Sequence, residues 1–178
     1  MVINGLKLWS SLHRRPPIKD MVSFKVAEHG VSYGLGEAGY DIRLKQEIRF
    51  DGDYRGDRRV AVIERDAAGQ LTHFTQQAGR FTIASAIEEF DMPHDLIGVV
   101  HDKSSWARRG LSVFNTLIEP GWKGWLTLEL VYHGSDVLVI PAGAGIAQVI
   151  FHQIAEPAAY DGKYQNQRDE PVAAIASV

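Results

Sequence analysis

Short runs in which apolar and polar residues nearly alternate dominate the middle of the chain, and Gly, Asp and Pro separate them. Many of the runs are rich in Val, Ile, Phe and Thr, which is typical of β-strands with one buried face. In chain order they read FKV, YDIRL, EIRF, VAVI, HFT, RFTIA, LIGVV, LTLELVY, DVLVIP and IAQVIF. So many short strands predict an all-β sandwich or jelly roll rather than alternating βαβ units.

The two ends of the chain depart from this pattern. Residues Asn4 to His13 predict a short amphipathic helix, which the pair Pro16-Pro17 ends. Beyond Ala155 the composition becomes polar, and the segment 156–178 has the character of a flexible tail. Since no linker, internal repeat or low-complexity block is present, we expect one domain over 1–178, with 156–178 as a carboxy-terminal lid.

Composition narrows the classes of function. The chain has 178 residues, is 45% hydrophobic and carries a formal net charge of −3, so it lacks the basic excess that favours duplex nucleic acid. Cysteine is absent, which excludes disulfides and zinc sites built on thiolates. No apolar run reaches membrane-spanning length, and no signal peptide is recognisable. The sequence therefore predicts a cytoplasmic protein without a membrane or nucleic-acid partner.

The segment Lys103 to Gly110, KSSWARRG, combines two hydroxyls with flanking cations. Such groups suit a phosphate chain, because Arg offers a planar fork of donors. A helix that begins at Asp-Lys-Ser-Ser, with a hydroxyl as its N-cap, would favour the same ligand. The alternative interpretation is a solvated surface turn.

The segment Glu119 to Gly124, EPGWKG, predicts a tight turn at its Pro-Gly pair, with Trp122 as a rigid wall. Glu119 is then placed to accept a hydrogen bond from a sugar hydroxyl. The alternative is a hairpin turn with a surface acid. The Rossmann and P-loop glycine patterns are absent, and the seven histidines have no metal-ligand spacing, so we predict no metal held by side chains.

Glu129 interrupts the apolar run WLTLELVY. Alternation places Thr127, Glu129 and Val131 on one face of a strand and the leucines 126, 128 and 130 on the core face. Glu129 then faces either solvent or a site. If another chain or a ligand covers that face, the pKa of Glu129 should rise towards a value useful for proton transfer.

Taken together, five segments resemble motifs of the dCTP deaminase family, in the dUTPase-like superfamily, and occur in that family's order. They are AGYDIRL at 38–44, KSSWARRGL at 103–111, EPGWKG followed by LTLE at 119–129, GIAQ at 145–148 and KYQNQ at 163–167. The resemblance implies a distorted β-barrel or jelly roll of the dUTPase-like type with a short amino-terminal helix.

The same resemblance implies hydrolytic deamination of dCTP to dUTP and ammonia without zinc. The lack of cysteine agrees independently, since zinc-dependent cytidine deaminases use Cys ligands. It further implies a homotrimer with active sites between subunits and Mg²⁺ bound through the triphosphate, and it makes dTTP a candidate feedback inhibitor that the sequence alone does not decide.

Residue by residue, the resemblance assigns roles to the matching positions. Glu129 is the expected proton shuttle, and Ser104 positions the attacking water. Lys103, Ser105 and Arg108 hold phosphate oxygens, and Glu119 binds the deoxyribose 3′-hydroxyl. The substrate-binding set also includes Trp106, Ala107, Thr127 and Leu128 and, in the lid, Tyr160, Lys163 and Gln167.

One departure from the family concerns base recognition. Between Leu111 and Glu119 the chain is about two residues short and lacks the family's His-Arg pair, whose Arg lies near the catalytic Glu and the base. Asn115, Thr116 and Leu117 do not replace that guanidinium. The alternatives are therefore a rebuilt base pocket, dUTP diphosphatase activity, a bifunctional enzyme, deamination of a modified cytosine nucleotide, or a non-catalytic nucleotide sensor.

Overall fold

The computed structural model describes residues 1–9, 15–52 and 56–176. Two short helices, α1 (Gly5–Trp9) and α2 (Ser104–Ala107), accompany fourteen strands in these ranges. The strands are β1 (Val2–Ile3), β2 (Lys25–Glu28), β3 (Val31–Leu35), β4 (Tyr40–Arg43), β5 (Glu47–Phe50), β6 (Arg59–Arg65), β7 (Leu71–Ala78), β8 (Phe81–Asp91), β9 (Leu96–Asp102), β10 (Leu111–Val113), β11 (Leu117–Ile118), β12 (Lys123–Tyr132), β13 (Leu138–Ile140) and β14 (Gly145–Gln153). Neither of these helices is long and apolar enough to cross a membrane.

The strands form three antiparallel sheets. Seven belong to one sheet, in the order β11-β9-β14-β4-β3-β2, with β1 paired to β14. A second sheet has the order β10-β12-β8, and a third has the order β13-β5-β6-β7. Buried side chains from all three sheets meet in one hydrophobic core, in which Tyr40, Phe50, Phe90 and Phe151 are among the largest. The predicted all-β fold with a short amino-terminal helix is confirmed.

Each run that was predicted as a strand contributes to one in the structure. Strands β1, β3, β10 and β11 were not anticipated. Three of them have only two or three residues, too few for alternation to show. The fourth, β3, contains Gly34 at φ +92°, where a Cβ would lie 2.3 Å from the carbonyl oxygen of Phe24. A glycine in a short run indicates a turn rather than a strand, which explains why β3 was missed.

The amino-terminal helix is confirmed in position but begins one residue later than predicted. Helix α1 covers Gly5–Trp9, and Leu8 is its buried residue. The remainder of the predicted helix, residues 10–13, lies outside the described residues.

The carboxy-terminal segment makes several hydrogen bonds to the rest of the chain. The backbone N–H of Ala158 donates to His94, and that of Tyr160 donates to Pro120. Lys45 also binds the tail, since its Nζ donates to the carbonyl oxygen of Asp169 at 2.8 Å and pairs with the carboxylate of the same residue. Polar side chains in this segment thus make specific bonds to the body of the same chain.

Candidate active site

Strand β12 presents its polar residues to one side, as alternation predicts. Leu128 and Leu130 are fully buried, whereas Thr127 and Glu129 are partly exposed. The prediction for Leu126 is confirmed only in part, because this side chain packs against the core but is only partly buried. A register irregularity between Trp125 and Thr127 interrupts the pairing with β8, and Leu126 lines the same cavity as Thr127 and Glu129.

A cavity of about 960 Å³ lies beside this face of β12. Its volume falls in the range of small-molecule sites. Segments distant in sequence line it, and among them are five residues expected in the substrate site, Glu119, Thr127, Glu129, Tyr160 and Gln167. The other expected site residues lie outside the lining, and they are Lys103, Ser104, Ser105, Trp106, Ala107, Arg108, Leu128 and Lys163. The structure therefore brings together one part of the expected site within a single chain.

Burial raises the pKa of Glu129 above its ordinary value of 4.5. Its carboxylate makes no hydrogen bond or ion pair with any described residue, so nothing there offsets the loss of solvation. Glu88 provides a contrast, because burial raises the pKa of this carboxyl as well, but Arg43 donates to it from both its backbone N and its Nε at 2.8 Å. Glu88 therefore belongs to a structural ion pair, whereas Glu129 is a partly buried carboxyl without a partner among the described residues.

The shortened segment before the turn fixes the backbone of β12. The Asn115 side chain donates from Nδ2 to the carbonyl oxygen of Thr127 at 2.8 Å, and the N–H of Phe114 donates to the carbonyl oxygen of Glu129 at 2.8 Å. Asn115, Thr116 and Leu117 all line the cavity, and none carries a positive charge. This segment positions the strand that carries Glu129 without supplying a cation beside it.

The Glu119 turn forms as predicted. The N–H of Trp122 donates to the carbonyl oxygen of Glu119 at 3.2 Å, and Gly121 adopts φ +72°, which favours glycine. The indole of Trp122 is buried, lines the cavity and donates from Nε1 to the carbonyl oxygen of Tyr164 at 2.6 Å. Trp122 thus forms the predicted wall and also contacts the carboxy-terminal segment.

The tail continues along β12 towards the cavity. Gln167 bridges to Gly124, where φ is +129° and a Cβ would lie 2.4 Å from the Gln167 carbonyl oxygen, so only glycine permits this approach. Further on, the N–H of Val172 donates to Thr127 Oγ1 at 2.9 Å. Residues 170–174 line the cavity and so cover part of it.

The predicted phosphate-binding segment forms helix α2 on the surface. Its N-cap is Lys103, which makes no side-chain capping bond, so the expected hydroxyl N-cap is wrong. Ser104, Ser105 and Arg108 are exposed, and the side chain of Arg108 makes no hydrogen bond or ion pair within the described ranges. Trp106 is buried and donates from Nε1 to the carbonyl oxygen of Gly145 at 2.7 Å, which anchors the helix to β14.

Lys103 differs from the exposed residues of this segment, because its side chain is nearly buried. Its Nζ forms an ion pair with Asp41 and donates to Ser32 Oγ at 3.1 Å. The other carboxylate oxygen of Asp41 is buried and has no hydrogen-bond partner among the described atoms. Two of the three Lys103 donors therefore serve the protein, and one remains for a ligand.

Several lining residues were not anticipated from the sequence. Gln46 lies in the bend just before β5, Glu64 and His73 come from β6 and β7, and Val172 also lines the cavity, with its backbone N–H donating to Thr127 Oγ1. Neither β6 nor β7 shows a regular alternation of buried and exposed residues, so no local pattern distinguishes Glu64 or His73 from solvated residues. A backbone donor such as the N–H of Val172 has no signature in the sequence at all.

The cavity lining is acidic. Four glutamates line it, Glu64, Glu119, Glu129 and Glu170, and no Lys or Arg does among the residues the structure describes. No group of three His, Cys, Asp or Glu within those residues is arranged to hold a metal ion. Positive charge for an anionic ligand must therefore come from outside this lining.

Comparison with known proteins agrees with the sequence motifs. A family model described as dCTP deaminase-like matches residues 16–154. A dCTP deaminase of Acidobacterium capsulatum is 32% identical over 81% of this chain and 83% of its own, and one of Campylobacter lari is 37% identical over 77% and 78%. Among solved structures, the EIAV dUTPase has a TM-score of 0.49 and 17% identity over 81% of this chain and 93% of its own. By the family model and these identities, the chain belongs to the dCTP deaminase-like family.

Proposed function

We propose that the protein deaminates dCTP hydrolytically to dUTP and ammonia. The observation that carries this proposal is Glu129, a carboxyl with a raised pKa and no partner among the described residues, in a cavity of nucleotide size. A carboxylate whose pKa approaches the working pH is suited to general acid–base catalysis. The similarity to proteins named dCTP deaminase supports the choice of substrate.

In the proposed reaction, the Glu129 carboxylate takes a proton from water as the water oxygen bonds to C4 of cytosine. Glu129 returns that proton to N3, which gives a tetrahedral intermediate. It then moves the second proton from the new hydroxyl to the 4-amino group, and the C4–N bond breaks to release ammonia. The sum is dCTP and water converted to dUTP and ammonia, with Glu129 regenerated.

The phosphate-binding groups are proposed to come from a second copy of the chain in a homotrimer. Two observations support this arrangement, since no Lys or Arg is found in the described lining and Ser104, Ser105 and Arg108 are exposed outside it. In an assembly, α2 of one subunit would supply Arg108 and Ser105 to the phosphates and Ser104 to the water at the cavity of its neighbour. Lys103, with one donor left beyond the Asp41 pair, would add a weaker contact.

The remaining groups complete the substrate site. Glu119 accepts from the deoxyribose 3′-hydroxyl, and the segment 156–178 acts as a lid whose Tyr160, Lys163 and Gln167 close over sugar and triphosphate. Mg²⁺ enters as part of the substrate, held by phosphate oxygens and water. The contacts of Tyr160 and Gln167 beside the Glu119 turn support their place in the lid.

The direct test is to incubate the purified protein with Mg²⁺ and either dCTP or dUTP while following ammonia and pyrophosphate. We expect ammonia without pyrophosphate from dCTP, and no product from dUTP. Pyrophosphate from dUTP alone would replace the proposal with dUTP diphosphatase activity. Ammonia and pyrophosphate together from dCTP would identify a bifunctional enzyme that forms dUMP.

The role of Glu129 is tested with Glu129→Gln, which keeps the shape of the side chain and removes the base. We expect ammonia release to fall by about 10²–10⁴-fold, the usual range for loss of a general acid–base group. The Kd for dCTP, measured by calorimetry, should change little. Turnover near the original rate would show that another residue moves the proton.

A further inference from the structure

The β6–β7 ribbon supplies a wall of the cavity that none of the sequence motifs includes. Glu64 on β6 is the cross-strand neighbour of His73 on β7, and Val62 is that of Thr75. All four line the cavity together with Glu129. In a strand pair, such neighbours project from the same face, so this face of the ribbon changes from apolar at Val62 to polar at Glu64.

Glu64 is held in place by a buried amide. Gln46 is fully buried, and its Oε1 accepts from the N–H of Ser85 at 2.8 Å, which fixes which end of the amide is oxygen. Its Nε2 then donates to Ser85 Oγ at 3.0 Å and to Glu64 Oε1 at 2.6 Å. An ordinary surface glutamate has no such support, so the position of this carboxylate is determined by the core.

The same network lies next to the catalytic strand. Ser85 on β8 is the cross-strand partner of Thr127 on β12, and Glu129 is two residues further along. Glu64 is thus connected, through one buried amide and one strand pairing, to the part of the cavity where the proposed reaction occurs. This is also where the shortened segment 112–118 supplies no guanidinium for the base.

An ionised carboxylate accepts hydrogen bonds and cannot donate them. Cytosine presents a 4-amino donor, and Glu accepts from this group in nucleic-acid recognition, whereas uracil presents the acceptor O4 at the same position. The described lining contains no Lys or Arg that would pair with Glu64 instead. A fixed carboxylate here therefore attracts cytosine and repels uracil.

We propose that Glu64, positioned by Gln46, accepts a hydrogen bond from the 4-amino group of the substrate and makes the site prefer dCTP over its own product dUTP. This inference rests on the proposed function, because it assigns the base-recognising residue of that site. The same preference also acts on the product, because Glu64 has no donor to accept from once the 4-amino group has left as ammonia. Repulsion between Glu64 and O4 then favours product release.

The test compares the Kd values of dCTP and dUTP in the presence of Mg²⁺, with Glu129→Gln in every protein so that no turnover occurs. Adding Glu64→Gln should raise the Kd for dCTP about tenfold, the value of one lost charge-assisted hydrogen bond. The Kd for dUTP should stay unchanged or fall, because the new amide can donate to O4. Glu64→Ala should weaken dCTP binding in the same way without adding a donor.

Glu47→Gln is the matched control, because Glu47 lies on the adjacent strand β5 and does not line the cavity. It should leave both Kd values unchanged. Equal changes for dCTP and dUTP in Glu64→Gln, or no change in either, would overturn the role of Glu64. If the unmodified protein releases ammonia from dCTP in that case, only the base-recognition inference fails. If the unmodified protein binds neither nucleotide, the proposed function fails together with it.

Discussion

Strand β12 and helix α2 carry the two halves of the expected site, and they differ in almost every physical respect. Glu129 on β12 lies in a cavity, where burial raises its pKa, and no cation is found among the described residues of the lining. Ser104, Ser105 and Arg108 on α2 are exposed on a surface helix. In the proposed site, one region thus has the base without the positive charge that a triphosphate needs, and the other region has the positive charge without a cavity.

This difference indicates which property each half contributes. Glu129 requires removal from water, because a solvated carboxylate is too weak a base, whereas the hydroxyls and guanidinium of α2 require only access to a ligand. A site divided between two copies of one chain satisfies both requirements. Such a site would also make activity depend on assembly, since a lone chain would not bring its own two halves together.

The proposed division of the site between two chains can be tested by mixing two inactive variants. Glu129→Gln lacks the base, and the double variant Ser104→Ala with Arg108→Ala lacks the groups of α2. If each site takes Glu129 from one chain and α2 from its neighbour, random mixing restores about a quarter of the sites in a cyclic homotrimer. Ammonia release from dCTP should therefore recover from near zero to about a quarter of the original rate.

Separate preparations of the two variants, each mixed with itself, are the controls and should remain inactive. The subunits must exchange before the assay, for example by mild denaturation and refolding of the mixture. Differently tagged chains should confirm that subunits have exchanged. If ammonia release does not recover after confirmed exchange, Glu129 and α2 act within the same subunit.

The sequence predicts much of β12 and less of the cavity. Alternation over a long strand determines which side Glu129 faces, because each residue turns the side chain to the opposite face. The irregularity beside Leu126 breaks that rule at one position, and a single strand contains no sign of it. Gln46 and Glu64 are both part of the cavity lining and contact each other across 18 positions of the chain, and local patterns do not predict such a contact.

The charges around α2 show the same limit. The sequence groups Lys103 with Arg108 because both are cations next to serines. The structure separates them, since Lys103 pairs with Asp41, a residue 62 positions earlier, whereas Arg108 points into solvent. Residue type thus predicts available charge, but only the fold shows which charge is already paired.

This difference between Lys103 and Arg108 predicts that two similar substitutions change the free energy of unfolding by very different amounts. Lys103→Met leaves the buried Asp41 carboxylate without its cation, although Ser32 Oγ still donates to it, and breaking a buried ion pair costs about 3–5 kcal/mol in the free energy of unfolding. Arg108→Met removes an exposed side chain and should change stability by no more than about 0.5 kcal/mol. Urea denaturation of both variants measures the difference.

Nucleotide binding should show the reverse order for these variants. Arg108→Met should weaken dCTP binding more strongly than Lys103→Met does, when both are measured at a temperature where they are folded. Equal stability of the two variants would show that the Asp41 pair is unimportant to the fold.

A smaller effect is expected from the contact between the tail and β12, which lies beside the cavity. In Gly124→Ala the new Cβ would lie 2.4 Å from the carbonyl oxygen of Gln167, at a backbone angle that side chains rarely adopt. We expect the tail to detach, the KM for dCTP to rise several-fold, and trypsin to cleave faster after Lys163 and Arg168.

Gly30→Ala is the matched control for Gly124→Ala. Gly30 also has a positive φ, +75°, but no atom lies within 4 Å of its Cβ position, so it reproduces the backbone strain without the collision. It should leave both the KM and the cleavage of the tail unchanged. If the two variants behave alike, strain rather than tail contact explains the effect.

The raised pKa of Glu129 predicts the smallest effect, a stability difference that depends on pH. The folded protein binds the Glu129 proton more tightly than the unfolded chain, whose value is near 4.5, so ionisation at neutral pH costs stability. Glu129→Gln removes that cost and should therefore raise the Tm at pH 7. The gain should fade as pH falls through the raised pKa towards 4.5, where the original carboxyl is also neutral. Glu47→Gln should show no such trend in parallel thermal scans. A Tm gain that persists at pH 4 would contradict desolvation as its cause and would remove the physical basis for Glu129 as the base in the cavity.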